Sequence, residues 1–545
     1  MLQAIGGGLL GLPSAGCSAS ELPSVSDLRQ LRAADPQSGL VRLTQEGRAG
    51  VFRWHSGNYA RAAAGDPLGG RHITSLSVSP DKGIWIREGT RLSPEMFGAT
   101  ADQSDHTVPL LALFDQLQSG FQVELNEKYI LSRGITIERL SNFSIVGGGY
   151  IKMRRKTPVD NGYWMIYLAE CSNFEINGIT LDANRYERCP REVPAHTLSF
   201  QSCSQFDCKN VKVVNAVCDG FYLFSSTPEK LDTHCREFRF TNCTASGSFR
   251  QGCSVIQGHD GVFRGGAFLD TKGTAPEAGI DLESDQSDPI GAISRISIEG
   301  VRFAGNSGFG LLVATVSRPS DIEAIDCVFD HNAGGAISWG ATGGRIVRPQ
   351  INGFRDTAIR GAIDVPAGDG WREGPGTVIE QPRFTAVTTT RPENALVYTH
   401  SEAYGPVAID GMSTDACGAI AGLNRDWSSL RHSTITASLG RVDGAISISG
   451  RGCAVVDNHI TQFYGSAIIC TGDNVVVRDN RLDMPRYNDD NGAIRILGKD
   501  ASVGANVISG KAARTAIRLD GRNAIFGANR ISGFLRPVHD GKNNE

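Results

Sequence analysis

The chain of 545 residues lacks an apolar run long enough to cross a membrane as a helix. It also lacks a surplus of positive charge. Its 54 Lys and Arg stand against 58 Asp and Glu, and the net charge of −4 offers no field for nucleic acid. Its 13 cysteines form no CxxC pair and no Cys/His cluster with zinc spacing, so a zinc module is not expected. The 65 glycines follow no collagen period and read as turn punctuation. No basic segment precedes the small apolar stretch at residues 5–16, as a complete signal peptide would require, so residues 1–25 read as a flexible tail or a truncated export signal. No helix-length periodic segment separates the strands, which argues against an α/β sheet.

What the chain has is a repeat. Cys171-Ser172-Asn173-Phe174, Cys203-Ser204-Gln205-Phe206 and Cys235-Arg236-Glu237-Phe238 recur every 32 residues. Each opens an alternating strand, and a second strand follows it: GFYLFSS from Gly220, GIDLESD from Gly279, GAISWGA from Gly335, GAISISG from Gly444 and GAIRILG from Gly492. One short β-unit cannot bury its apolar side alone. It must stack on its neighbours, so the repeat dictates a solenoid. The three cysteines then occupy one coil position. Coils are about 4.8 Å apart, farther than the Cβ separation of about 3.8 Å that a disulfide prefers. A buried thiol stack is expected, with room for a few disulfides elsewhere.

Three regions follow. Residues 1–25 form the tail. Residues 26–95 form a cap region, where Ser26-Asp27-Leu28 signals a helix start and short strands carry Phe52, Trp54, Trp85 and Ile86. Residues 96–545 form the solenoid. It opens with an amphipathic helix bearing Leu110, Leu111, Leu113, Phe114 and Leu117, followed by a strand, VELNEKYIL, from Val123. Long excursions at Ala183–Ala195, Val365–Gly376 and Arg425–His432 read as loops leaving a coil corner, where binding sites gather.

Phe97-Gly98-Ala99, then Asp102 and Asp105, the helix, and Lys128-Tyr129 together resemble the entry of the pectate-lyase-like superfamily. The chain departs from that pattern at Lys128, where glycine is usual. The prelude Gly50–Trp54 with Gly83–Arg87, and the run from Arg250 to Glu283, resemble phage tailspike depolymerases and related bacterial polysaccharide-processing proteins. The resemblance covers about residues 45–535. It implies an all-β, single-stranded, right-handed parallel β-helix, and a chain that is exported to the periplasm or cell exterior or is carried on a virion. It also implies a polysaccharide or oligosaccharide partner and a homotrimer. It does not choose among hydrolase, lyase, epimerase and non-catalytic binder.

Alternation places the chemistry. Residues i and i+2 of a strand share a side. With Ile280 and Leu282 turned inward, Asp281 and Glu283 point outward, and Asp285 continues that side. Tyr222 points outward one coil earlier, while Asp219, Arg250 and His196 precede their strands. These residues are expected on one face of successive coils, bordered by Asp182, Arg185, Tyr186 and Arg188. A carboxyl pair in such a groove suits glycoside hydrolysis, one group protonated as the acid and the other acting as nucleophile or base. The expected catalytic residues are Asp281 and Glu283, with Asp219 as an alternative partner. Arg250, Tyr222, His196, Arg185, Asp182 and Trp339 are expected to hold the sugar, Trp339 as a stacking platform. Other readings stand beside these: solvated surface acids, a Ca²⁺ site from Asp281, Glu283, Asp285 and Asp288, an Arg250–Asp281 ion pair, a simple turn role for His196, and core packing for Trp339. His259-Asp260 and His331-Asn332 read as turn residues. No cofactor is required. A lyase or C5-epimerase would use Tyr222, His196 or an arginine as base on a uronic-acid polymer. A non-catalytic glycan-binding or adhesin solenoid is the third reading.

Overall fold

Phe143, Phe174, Phe206 and Phe238 stand in register on consecutive parallel strands. Their rings stack at 5.0, 5.0 and 5.9 Å. That ladder is the first of three faces that wind through the chain as a parallel β-helix. The computed structural model describes residues 22–155, 164–188, 195–354, 361–368, 374–387, 389, 395–415, 418–436, 444–463, 465–484 and 490–541. Cys17, Cys189 and Cys417 lie outside them, as do most of the expected tail and parts of the excursions after Ala183 and Val365.

The first face is a ladder of 17 strands, running from Arg91–Leu92 to Ile525–Phe526. The second is built of short strands such as Thr180–Asp182, Lys212–Val214 and Thr244–Ser246. The third carries Leu198–Gln201, Phe221–Phe224, Cys253–Val255, Ile280–Leu282 and Phe309–Val313 in order. The second and third faces merge at the long strand Val507–Leu519. The sequence suggested two strands per coil. The structure has three, because a three-residue strand buries a single inward side chain, such as Val213 or Phe268, and shows no alternation to read. For the same reason VELNEKYIL is not one strand. It breaks into Gln122–Glu124 on the first face and Lys128–Leu131 on the second.

The interior is apolar and aromatic. The expected thiol column is present: Cys171, Cys203 and Cys235 are buried and free, and each thiol donates to backbone carbonyls, Cys171 to Ile137 and Cys203 to Leu168. All ten described cysteines are buried and unbridged. Near the C-terminal end an amide ladder locks one corner. The Nδ2 of Asn458 donates to Asn480, that of Asn480 to Asn506, and that of Asn506 to Asn529, at 2.9, 3.0 and 2.9 Å. His331-Asn332 lies at such a corner. His259-Asp260 does not: it sits inside the strand Gly258–Arg264, where Asp260 takes a left-handed φ of 56° and pairs with Arg295.

Among the described residues, 22–90 with Pro94–Thr100 form one compact unit, and Arg91–Ser93 with those from Ala101 to Gly541 form the other. The first holds a five-stranded sheet over Leu31, Val41, Phe52, Ile73 and Trp85. Its helix Leu28–Ala33 is capped by the Asp27 carboxylate, which accepts from the Gln30 N–H at 2.8 Å. The second opens with the helix Thr107–Asp115, which buries Leu110, Leu113 and Phe114.

Candidate functional site

The third face brings most of the expected residues together. Pairing sets Tyr167, Ser199, Tyr222, Ser254, Asp281, Leu312, Ser338, Asp364 and Tyr398 in one outward row. Two residues further along each strand a parallel row contains Phe224, Glu283 and His400. At the corner before these strands, His196, Asp219 and Gln251 stack one per coil, because Thr197 donates to the Asp219 carbonyl and Gly220 to that of Gln251.

Asp219 is the hub of that corner. It is 0% exposed. Arg250 grips it with both arms, Nε to Oδ1 at 2.9 Å and Nη2 to Oδ2 at 2.6 Å. The Gln251 N–H and the Ser254 hydroxyl each donate at 3.1 Å. His196 Nδ1 lies 3.0 Å from Oδ2. Burial alone would push this carboxyl up, but His196 and Arg250 hold it well below the usual carboxylate range. Arg250 is shifted the opposite way: burial would lower it, and the bonds to Asp219 raise it.

This environment corrects two expectations. Asp219 is not free to act as a catalytic partner, since four donors already occupy its lone pairs. Arg250 pairs with Asp219, one coil before it, and not with Asp281. The same saturation bears on metal binding. Ligand atoms of His196, Cys218 and Asp219 lie within 4.8 Å of one another, but the Asp219 oxygens are already committed to Arg250, Gln251 and Ser254.

Asp281 is the opposite case. It is outward by register yet only 2% exposed. Its Oδ2 accepts from Gln251 Nε2 at 2.7 Å, and Oδ1 is buried without an aligned donor. Burial, and then the like charge of Glu283, push it well above the usual carboxylate range, so it holds its proton. Glu283 is half-buried and reaches solvent. The acidic run does not gather into a cage. Asp288 turns away to take Gln257 Nε2 at 2.7 Å and the Asp285 N–H at 2.9 Å, so it does not join Asp281 and Glu283 as a Ca²⁺ ligand in this arrangement.

Tyr222 stacks flat on His196, with centroids 3.6 Å apart and planes 3° apart. Burial and the Asp219 charge push its hydroxyl up. Around it lies an aromatic patch that sequence reasoning missed: Trp164 edge-on to Tyr167 at 3.9 Å and to Phe224 at 5.5 Å. Tyr167 donates to Gln201, and burial pushes its hydroxyl up to about 12. Phe224 was legible as the residue two beyond Tyr222, and Gln251 and Ser254 as the neighbours of Arg250.

The remaining expected residues fall elsewhere. Asp182 ends a strand of the second face, where Tyr150, the Asn184 N–H and Asn215 donate to it. Arg185 clamps coils together, its Nη1 donating to the carbonyls of Gly247 and Lys272 at 2.9 and 3.0 Å. Trp339 is 0% exposed. It is paired with Val313 in an inward row, so it is a core residue and not a sugar platform. Gly344, with φ +86°, lies against its indole, and an added Cβ there would come within 3.1 Å of the indole Cζ2.

No protein-family profile matches the chain, and no curated relative is found. Solved structures do match. The tailspike gp49 of Acinetobacter baumannii bacteriophage Fri1, a capsular polysaccharide depolymerase, is 12% identical, with 94% of this chain and 75% of that one covered and a TM-score of 0.38. A tailspike mutant of E. coli bacteriophage HK620, in complex with a hexasaccharide, is 11% identical, with 81% and 84% covered and a TM-score of 0.43. Gene product 12 of bacteriophage phi29 is 11% identical, with 82% and 73% covered and a TM-score of 0.36. At such identities the similarity is one of architecture, and the β-helix itself is established by the strand pairing described above.

Proposed function

We propose that the chain is a polysaccharide-cleaving enzyme, a glycoside hydrolase whose acid is Asp281 and whose nucleophile or base is Glu283. The observation that carries this reading is the split between two adjacent carboxyls. One is buried and keeps its proton, while the other meets water. Pairs of titratable groups driven apart by their surroundings are the usual basis of acid–base division of labour. Gln251 fixes the Asp281 carboxyl from below, and Arg250 and Asp219 fix Gln251's coil in turn. The aromatic patch of Trp164, Tyr167, Tyr222 and Phe224 offers apolar surface of the kind sugar rings pack against.

A lyase or epimerase would need His196, Tyr222 or an arginine as base, and Arg250 is tied to Asp219 and shifted toward keeping its proton. His196 is buried behind Tyr222, and Tyr222 is shifted toward keeping its proton, which favours hydrolysis. Purified protein given a panel of bacterial capsular polysaccharides should release new reducing ends with no new ultraviolet absorbance. D281N and E283Q should each slow release by about 10²–10⁴-fold. Ultraviolet-absorbing products would indicate elimination, and tight glycan binding without products would indicate a binding solenoid.

A further inference from the structure

We propose that His400 and Asp364 form a second acid–base centre, which hydrolyses O-acyl esters carried by a glycan on the third face. The proposal rests on the glycan reading above only for the identity of the ester's carrier.

Register brings the two residues into line with the first site. Asp364 lies in the row of Asp281, three strands on through Leu312 and Ser338. His400 follows Thr399, which pairs with Val365, so it lies in the row of Glu283. Three steps of about 4.8 Å separate Asp364 from Asp281 and four separate His400 from Glu283, about 14 and 19 Å. That is too far for both to act on one bond. Between them the Glu283 row holds Ala314, Gly340 and Pro366, whose side chains are small enough to leave a low floor.

The pair has the form of a supported base. Asp364 is 0% exposed, and its Oδ1 is 3.5 Å from His400 Nε2. The His400 side chain is 40% exposed. Tyr398 holds the imidazole edge-on, at 5.0 Å and 89°. A buried carboxylate behind a solvent-reaching imidazole orients the ring and stabilises the cation that forms when it takes a proton. With Nε2–H toward Asp364, the lone pair is on Nδ1. A glycosidic bond needs a strong acid, which this pair lacks. An ester needs a general base, a role open to a solvent-reaching imidazole. Nδ1 takes a proton from water while the water oxygen bonds to the acyl carbon. The C–O bond to the sugar then breaks, and the sugar oxygen takes the proton back from Nδ1. The products are a free hydroxyl and a carboxylic acid.

Two other pairs, His432–Asp410 at 2.6 Å and His459–Asp483 at 3.0 Å, have carboxylates open to water and provide internal comparisons. The test uses p-nitrophenyl acetate, which needs no glycan. The full chain should hydrolyse it at least ten-fold faster than H400Q, and H432Q should match the unaltered chain. D364N should lower kcat with KM unchanged, as loss of a positioning residue would. Imidazole added to H400A should restore turnover. Equal rates in H400Q and the unaltered chain, or an H400A defect that imidazole does not relieve, would overturn the proposal. If this esterase activity depends on His400 but no polysaccharide is deacylated or cleaved, the glycan reading falls and the His400 centre stands.

Discussion

Replacing Asp281 by asparagine should make the protein more stable at neutral pH while abolishing its action on polysaccharide. The unfolded chain releases the Asp281 proton above a pH of about 3.9. The folded chain keeps it, because burial and Glu283 raise the carboxyl well above that value. Between those two pKa values the folded state binds more protons than the unfolded one, so stability falls as pH rises, by about 1.4 kcal/mol per unit at full slope. Asparagine has the shape of the protonated acid. Its oxygen can accept from Gln251 Nε2 as Oδ2 does, and its amide carries no charge to desolvate. The gain should therefore grow as pH rises from 4 to 8 and shrink to nearly nothing below pH 4. Urea unfolding of both proteins at pH 4, 6 and 8 reads this directly. A D281N protein less stable than the parent at pH 8, or a difference that does not change with pH, would refute a carboxyl held protonated by its surroundings.

Asp219 should respond in the opposite sense. Its folded pKa is depressed, so its contribution is complete above the unfolded value near 3.9 and is lost as pH falls through the folded one. D219A should cost about 3–5 kcal/mol at neutral pH, measured by urea unfolding, because it strands the Arg250 side chain. W339A should cost about 3–5 kcal/mol by the same assay, as expected for a large buried aromatic, and leave glycan affinity unchanged in a binding titration. Cys203, Cys208, Cys235 and Cys253 should resist alkylation in the folded protein and react after denaturation, since burial pushes Cys203, Cys208 and Cys253 well above their usual range and Cys235 up to about 12.

The strands of the third face were legible because alternation governs them. Ile280 in, Asp281 out and Leu282 in follow from period two alone, and the row that joins Tyr222 to Asp281 follows from stacking the coils. The same rule places Trp339 inside, two residues after Ile337. The platform reading gave weight to the residue type over its position. The corners were not legible. His196, Asp219 and Gln251 lie where no period applies, and the grip of Arg250 on Asp219 depends on how the chain turns between faces. Asp281 itself was read on the correct side but not at the correct depth. Register tells which way a side chain points, and the covering corner residues decide whether water reaches it. His400 and Asp364 stand alone in the sequence, and only coil pairing joins them.

The coil pitch acts as a ruler along the third face. Val313 and Trp339 occupy equivalent positions one coil apart, so excising the stretch from one to the other would remove a single rung and leave both ends joinable. The carboxyl pair at Asp281 and the imidazole at His400 would each keep their immediate neighbours, yet stand one rung of about 4.8 Å closer. In this architecture the spacing between two chemical groups can change by whole rungs without redesign of either, so a polymer with a different repeat length can be matched by gain or loss of coils.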